Sequence, residues 1–264
     1  MAVATRPNHV HPTAVISPRA RIGTGCYIGP YSIVGDGVEL HDDVRLESHC
    51  VIDGLTVIGQ GTQVFPFVSI GLPAQDLKYK GEQSETRIGR RNVIREFVTI
   101  HRGTAGGGML TQIGDDCLLM AQAHVAHDCI IGDGVIMANA ATLAGHVIIE
   151  NNANVGAYSG VHQFCRVGRE AYVGGYSVVV KDALPFALTV GNHARCYGLN
   201  TTGMKRRGYS RDVIAKLHRA FHLLLSSKLN TSQALDKIKT EIEGSAEVDY
   251  LIEFIQSSSR GVIK

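Results

Sequence analysis

The chain of 264 residues lacks the features typical of membrane, exported and nucleic-acid-binding proteins. No segment approaches the roughly 18 consecutive apolar residues that a membrane-spanning helix needs. The N-terminal segment, residues 1–13, has no apolar run of the signal-peptide type. The net charge is only +2, so the chain has no overall field that would attract nucleic acid. We therefore expect a cytoplasmic protein with no integral membrane segment and no nucleic-acid partner.

The six cysteines also lack the Cys-x-x-Cys spacing that a zinc ribbon requires. Five of them occupy the same position of a short repeat, namely Cys26, Cys50, Cys117, Cys129 and Cys165. A position shared in this way is a packing position. We therefore interpret these cysteines as small buried hydrophobes and not as nucleophiles or disulfide partners.

What the chain does have is a six-residue repeat. An apolar residue recurs every six positions in 26 repeats, which run from Val10 to Ile70, from Ile88 to Ile100 and from Ile113 to Val179. The fifth position is Ala, Cys, Ser, Thr or Val in 25 of them. A period of six is neither the helical period nor the alternation of a long strand. It is typical of hexapeptide repeats that form a parallel β-helix.

Three such repeats would make one coil of a triangular prism. The apolar first residue would point inward, and the small fifth residue would avoid a collision inside the narrow section. The second position is glycine in eleven repeats, such as Gly23 and Gly29, and we interpret it as a corner that needs a positive φ. Coils stacked at the strand spacing of about 4.8 Å would bury their apolar faces against one another.

Two interruptions and one change of pattern divide the chain. Residues 71–87 and 103–112 break the repeat, and we expect both to be loops that project from coil corners, where function is often found. The repeat fades after Pro185, and residues 186–208 should be irregular. Helical periodicity follows, with starts at Ser210, Thr231 and Ser245. The expected fold is mainly β: residues 1–190 form the β-helix, and residues 191–264 form a connecting segment and a small α-helical C-terminal domain.

Five histidines between positions 101 and 162 are the candidate chemical groups. None occupies the inward first position or the small fifth position, so all should lie outside the prism core: His101, His124, His127, His146 and His162. Two interpretations remain open from the residues alone. A neutral imidazole could act as a general base near neutral pH, with Asp128 setting its orientation. Alternatively, histidines from two chains could bind zinc, as in the carbonic anhydrases that share this repeat.

Seven short motifs make a family resemblance specific: AQDLKY (74–79), TIHRGT (99–104), AHVAHDC (123–129), LAGHV (143–147), VHQF (161–164), GNH (191–193) and GMKRRG (203–208). Through these motifs the chain resembles the UDP-N-acetylglucosamine O-acyltransferases over essentially its whole length. The resemblance implies a left-handed parallel β-helix and a homotrimer with sites between subunits. It also implies transfer of an (R)-3-hydroxyacyl chain from acyl carrier protein to the 3-hydroxyl of UDP-N-acetylglucosamine. This is the first step of lipid A synthesis, and it uses no cofactor and no metal.

The resemblance also implies roles for individual residues. His127 matches the general base, Asp128 its partner, and the backbone N–H of Gly145 the oxyanion donor. Six residues match the sugar and acyl cleft: Asp76, Lys78, His101, His124, His146 and His162. Four match the nucleotide and diphosphate end: Gln163, Asn200, Arg206 and Arg207. Gly175 and His193 match positions that limit acyl length, and the chain departs from the family pattern at Thr202.

Three other functions compete with this one. A related N-acyltransferase carries an extra N-terminal domain, for which repeats that begin at Val10 leave no room. The other two are a zinc-dependent hydratase and a non-catalytic scaffold. A basic face of the first C-terminal helix either contacts acyl carrier protein or is simply solvated: Arg211, Lys216 and Arg219.

Overall fold

The computed structural model describes residues 7–264, so the first six residues, which the predicted β-helix includes, lie outside the description. Short parallel strands stack into three sheets. Sheet A contains His9–Val10, Tyr27–Ile28, Arg45–Leu46, Gln63–Val64, Val93–Ile94, Leu118–Leu119, Ile136–Met137, Asn154–Val155, Tyr172–Val173, Ala187–Val190 and Arg195–Leu199. Sheet B contains Val15–Ile16, Ile33–Val34, Val51–Ile52, Ser69–Leu72, Thr99–His101, His124–Val125, Thr142–Leu143, Gly160–Val161 and Val178–Val179. Sheet C contains Arg21–Ile22, Glu39–Leu40, Leu55–Ile58, Glu85–Ile88, Leu110–Ile113, Ile130–Ile131, Ile148–Ile149 and Arg166–Val167.

The chain passes from sheet A to sheet B to sheet C in every coil, so the three sheets are the faces of a prism. We name the turn that follows a strand of each sheet corner A, corner B or corner C. The first and fifth residues of the repeat fill the interior, as predicted: Leu119, Val125 and Cys129 are fully buried. Burial raises the pKa of the Cys129 thiol to about 12, which suits a packing role and not a nucleophile.

The interpretation of the second-position glycines was wrong for all of them except Gly71, whose φ is 77°. Positive φ values fall at the fourth position of the repeat, as at Asp128 (59°) and His146 (62°). The second-position glycines are needed for close stacking instead. A Cβ on Gly23 would lie 2.7 Å from the backbone of Asp42, and a Cβ on Gly29 would lie 2.8 Å from the backbone of Glu47. Any larger residue would push neighbouring coils apart.

Both interruptions are loops that leave corner B and return to sheet C. The first loop is residues 73–84, and the second is residues 102–109. Strand pairing extends into the ends of both predicted interruptions, because Glu85–Ile88 and Leu110–Ile113 pair with each other over four residues. Both loops therefore cover the same edge of the prism.

The expectation that residues 186–208 are irregular was wrong. Ala187–Val190 continues sheet A in parallel, Arg195–Leu199 returns antiparallel to it, and Thr201–Arg206 forms a short helix, α1. Three further helices follow: α2 (Arg211–Leu225), α3 (Thr231–Glu241) and α4 (Ala246–Gln256). Ser210 and Ser245 cap α2 and α4 through their side chains, as predicted.

The N-cap of α3 is Asn230, one residue before the predicted start, and it forms a capping box with Gln233. The helices pack on a second hydrophobic core that includes Leu217, Ile238 and Leu251. Among the residues that the structure describes, no helix has the length and hydrophobicity needed to cross a bilayer.

Candidate active site

Corner B gathers the predicted catalytic residues. His127, Gly145 and Gln163 hold the third position of successive coils, and Asp128 and His146 hold the fourth. The left-handed backbone at the fourth position turns the chain sharply. This turn lets His127 and Asp128, adjacent in sequence, face each other instead of pointing apart.

His127 and Asp128 form a hydrogen-bonded pair. The Nδ1 of His127 lies 2.8 Å from Oδ2 of Asp128. A carboxylate only accepts hydrogen bonds, so Nδ1–H is the donor and Nε2 is left with its lone pair. The Asp128 side chain is fully buried and that of His127 is 13% exposed. The pair therefore has the arrangement of a general base with an orienting carboxylate.

Two side chains that the motif analysis did not assign contact this pair and the neighbouring His146. Thr104 donates twice to the Asp128 carboxylate, from its backbone N–H at 2.9 Å and from its hydroxyl at 2.6 Å. Phe164 stacks on the ring of His146 with a centroid distance of 4.5 Å. Thr104 ends the motif TIHRGT and Phe164 ends the motif VHQF, so the motifs contained both without indicating their contacts.

Gly145 lies against the face of His127. A Cβ at position 145 would approach His127 Cε1 to 2.5 Å, so only glycine fits beside the ring. Among the described residues, no acceptor pairs with the Gly145 N–H. This N–H is therefore available to a ligand beside His127.

Burial disfavours the charged form of three further histidines near corner B, His101, His124 and His146. His101 and His124 meet edge to face at 5.4 Å, and His124 hydrogen-bonds Thr99 Oγ1 through Nδ1 at 2.7 Å. Burial lowers the pKa of His124 to about 4, and burial also lowers the pKa of His101 and of His146. His101 is only 6% exposed, so it lies deeper than its repeat position predicted.

A groove of about 750 Å³ runs between the first loop and corner B. Its walls include Asp76 and Lys78 from the loop and His146 and Phe164 from the corner. The Asp76 carboxylate accepts a hydrogen bond from the Lys78 backbone N–H at 2.9 Å, which shapes the loop. The groove therefore brings two predicted cleft residues to the histidine cluster.

Other predicted residues lie elsewhere on the single chain. His162 and Gln163 are exposed on corner B, one coil beyond Gly145. Gly175 and His193 follow strands of sheet A, which places them at corner A. The other three nucleotide-end residues, apart from Gln163, belong to α1 and its flanks. Asn200 caps α1 and donates to the Glu170 carbonyl, Arg207 pairs with the Glu170 carboxylate at 2.8 Å, and Arg206 is exposed, as is the neighbouring Thr202. Glu170 is at corner C.

Within residues 7–264, one group of side chains could offer three ligand atoms to a metal ion. His127, Asp128 and His146 each offer a ligand atom, and these atoms lie within 4.8 Å of one another. The Asp128 Oδ2 atom, however, already accepts from His127 and from the Thr104 hydroxyl. An ion at this point would have to displace those donors, so the observed contacts suit proton transfer better than metal binding.

The fold and site together define a class of protein. The family of bacterial transferase hexapeptide repeats matches residues 19–54 and 110–145. A prism of hexapeptide coils with a histidine–carboxylate pair at one corner is thus a hexapeptide-repeat transferase. The family described as UDP N-acetylglucosamine O-acyltransferase, domain 2, matches residues 182–263.

Individual relatives specify the family. The chain is 48% identical over 257 residues to the acyl-(acyl-carrier-protein)–UDP-N-acetylglucosamine O-acyltransferase of Thermodesulfovibrio yellowstonii, covering 97% of this chain and all of that protein. It superposes on the UDP-N-acetylglucosamine acyltransferase of Bacteroides fragilis with a TM-score of 0.94 at 40% identity, covering 97% of this chain and all of that one. The corresponding enzyme of Moraxella catarrhalis gives a TM-score of 0.93 at 42% identity, covering 97% and 99% of the two chains. The chain belongs to the UDP-N-acetylglucosamine O-acyltransferase family, as its motifs predicted. The predicted left-handed parallel β-helix with a small helical C-terminal region is confirmed.

Proposed function

We propose that the protein transfers an (R)-3-hydroxyacyl chain from acyl carrier protein to the 3-hydroxyl of UDP-N-acetylglucosamine, the first acylation of lipid A synthesis. The observation that carries this proposal is the buried His127–Asp128 pair beside a groove, in a chain whose relatives bear the name of this reaction. No cofactor is needed, because the acyl thioester is already activated.

In the proposed mechanism His127 is the base. Its Nδ1–H is held by Asp128, so Nε2 takes the proton of the sugar 3-hydroxyl as that oxygen attacks the thioester carbonyl. The Gly145 N–H stabilises the oxyanion of the tetrahedral intermediate. The intermediate collapses by breaking the carbon–sulfur bond, and the imidazolium returns its proton to the carrier thiolate. The neutral His124 and His101 place no positive charge beside the base at neutral pH.

The substrate would extend from the groove at corner B. Asp76, Lys78 and His146 suit the sugar and acyl cleft, since they lie in one groove. Arg206 and Arg207 suit the diphosphate, because guanidinium groups pair with phosphate oxygens in bidentate fashion. Glu170 would orient Arg207 for this contact.

We also propose a homotrimer that packs around sheet B. The outward residues of sheet B contain no Asp, Glu, Lys or Arg: Val15, Ile33, Val51, Ser69, Thr99, His124, Thr142, Gly160 and Val178. Corner A beside this sheet carries an exposed stacked ladder of Tyr31, His49, Phe67 and Phe97. Charge depletion and exposed aromatics are typical of interface cores. Packing around sheet B would bring corner A of one chain, with Gly175 and His193, to corner B of the next.

Internal ion pairs occupy the basic face of α2 that was considered for the carrier protein. On the basic face of α2, Lys216 pairs with Asp212 at 3.1 Å and Arg219 pairs with Glu241. These internal pairs reduce the positive charge that an acidic partner would meet. They favour the solvated-face alternative for this helix.

The test is an assay of purified protein with UDP-N-acetylglucosamine and a series of 3-hydroxyacyl carrier proteins of different chain length. We expect 3-O-acylated product by mass spectrometry.

His127→Ala should lower turnover by about 10²–10⁴-fold while leaving the oligomer intact, and His222→Ala on α2 is the control. Near-normal turnover by His127→Ala would remove His127 from the base role. Reaction only with a 3-amino acceptor would identify an N-linked product instead.

The three-ligand cluster supports one second candidate, a zinc-dependent hydratase. Treatment with a chelator followed by metal analysis separates the two. Acyl transfer should be unchanged by chelation, whereas stoichiometric zinc and chelator-sensitive hydration of carbon dioxide would favour the hydratase.

A further inference from the structure

The second loop, residues 102–109, reaches the proposed base through the hydrogen bonds of Thr104 to Asp128. Thr104 is 5% exposed, and it donates to both oxygens of the Asp128 carboxylate. The oxygen that accepts from the Thr104 hydroxyl is Oδ2, which also accepts from His127 Nδ1–H. We infer that Thr104 is a positioning residue for acyl transfer: it fixes the Asp128 carboxylate so that Oδ2 holds the His127 imidazole in its reactive orientation. This inference rests on the function proposed above.

The loop is built to cover Asp128. A Cβ on Gly107 would lie 2.0 Å from Asp128 Cγ, so the loop backbone packs directly on the carboxylate. The backbone N–H groups of Gly107 and Met109 both donate to the Thr104 carbonyl, at 3.1 and 3.0 Å. This turn fixes Thr104 and Gly107 relative to each other. Both therefore contact Asp128 from the same short turn.

A comparison along corner B shows what the loop does. Asp128 and Phe164 hold the same repeat position two coils apart, yet Phe164 is 49% exposed and Asp128 is 5% exposed. The prism itself leaves this position open. The second loop therefore buries Asp128. The first loop holds the second loop in place, because the Glu82 carboxylate accepts a hydrogen bond from the Ala105 N–H at 3.0 Å.

Burial makes the Thr104 hydroxyl important. A buried carboxylate needs donors in place of water, and hydrogen bonds to a charged oxygen are stronger than neutral ones. Without the hydroxyl, Oδ2 would keep only the donor from His127. The carboxylate would then be held to the loop through Oδ1 alone, by the Thr104 backbone N–H, and its orientation would be less fixed. His127 would lose its fixed orientation, and small misplacements of catalytic groups have large effects on rate.

The test compares Thr104→Val, which removes the hydroxyl at nearly constant shape, with Thr104→Ser, which keeps it. We expect Thr104→Val to lower kcat roughly 10-fold or more while KM for both substrates stays within about 2-fold. The acid limb of its pH–rate profile should move, because the carboxylate that faces the base has lost a donor. Thr104→Ser should restore kcat to within about 3-fold of the parent. The matched control is Thr86→Val, at a buried threonine whose hydroxyl has no partner among the described residues.

A double variant distinguishes an effect that acts through Asp128 from a general loss of packing around the loop. If Thr104 acts through Asp128, then Thr104→Val should cost no further activity in an Asp128→Ala background. Parent-like kcat and an unmoved acid limb in a stably folded Thr104→Val protein would overturn the inference, as would additive losses in the double variant. If Thr104→Val does not fold, Thr104→Ala takes its place under the same criteria.

These outcomes are distinct from failure of the proposed function. Full activity of Thr104→Val beside an inactive His127→Ala overturns only the role of Thr104. An active His127→Ala overturns the base assignment itself.

Discussion

Gly145 shows how tightly the residues around the proposed base are packed. Gly145→Ala keeps the backbone N–H but adds a methyl group that would lie 2.5 Å from His127 Cε1. The imidazole must move to accommodate it, and displacement of a catalytic group by about 1 Å can cost roughly 10²-fold in rate. We therefore expect turnover to fall by about two orders of magnitude, measured as initial rate at saturating substrates.

The matched control is Gly160→Ala, on the next strand of sheet B. A Cβ at Gly160 would meet nothing within 4 Å. Because Gly160 lies on the sheet B surface proposed to pack in the trimer, the comparison uses Gly160→Ala protein that light scattering shows to be trimeric. The turnover of that protein should stay close to that of the parent. Equal turnover of the two alanine variants would show that His127 tolerates displacement.

His124 should make stability depend on pH. Its pKa is lowered to about 4 by burial, whereas an unfolded histidine titrates near pH 6.5. Between these values the unfolded chain binds more protons, so the free energy of unfolding falls as pH drops from about 6.5 to about 4 and is fully present above that range. The loss should be on the order of 2 kcal/mol, since the side chain is only partly buried.

Urea denaturation at several pH values measures this. His124→Gln should make the decline shallower without abolishing it, because burial also lowers the pKa of His101 and of His146. His222→Gln, at an exposed position of α2, should leave the slope as it is. If the free energy of unfolding of His124→Gln fell with pH as steeply as that of the parent, His124 would not be a source of the pH dependence.

At the scale of the elements, period six is enough to predict the coils, because each coil repeats one inward residue and one small residue. It could not show which repeat position carries the left-handed turn. Glycine is frequent at the second position for close stacking, whereas the φ > 0 fourth position accepts Asp128, His146 and Phe164. The residue type alone does not separate these two physical requirements.

Less of the candidate site than of the coils could be predicted from the sequence. The histidines could be found because they lie outside the apolar first and small fifth positions that the repeat fixes. The contact of Thr104 with Asp128 joins residues 24 apart and depends on the path of the second loop, which no periodicity describes. The strands at 187–199 were missed for a similar reason, since they pair with sheet A outside the six-residue phase.

Asp182 joins the C-terminal tail to the prism. It is 1% exposed, and its carboxylate accepts from the Arg166 N–H and Nε–H and from the Ser258 hydroxyl. Its backbone also bonds to Gly261 and Ile263. Asp182→Asn would leave Arg166 without its charged partner, and we expect it to lower the free energy of unfolding by about 2 kcal/mol or more. Chemical denaturation measures the loss.

Asp36→Asn is the control, because its partner Arg19 and its own side chain are 76% and 55% exposed. Exposed ion pairs contribute little to stability. A small, equal effect of both substitutions would mean that the tail contact is not a stabilising element.

At the scale of the whole molecule, the residues proposed for the site lie at three different corners of one chain. Corner B carries the proposed base, corner A carries Gly175 and His193, and Arg207 lies at corner C. The proposed function assigns these residues to one site, and packing of chains side by side would bring their corners together. The uncharged surface of sheet B, which separates corners A and B, is the surface on which such an assembly would pack.

Charge placed on that surface should therefore separate the chains. Ile33→Glu/Val51→Glu puts two carboxylates on neighbouring outward positions of sheet B, and threefold packing would bring six of them together. Burying unpaired charge is costly, so we expect monomers by light scattering and, because the site then lacks its second corner, loss of acyl transfer. Ile130→Glu/Ile148→Glu makes the same change at neighbouring outward positions of sheet C, where the isoleucines are 37% and 38% exposed. The sheet C variant should remain trimeric and active.

Dissociation of the sheet C variant instead of the sheet B variant would place the interface on sheet C. An active monomeric sheet B variant would show that one chain is sufficient for acyl transfer.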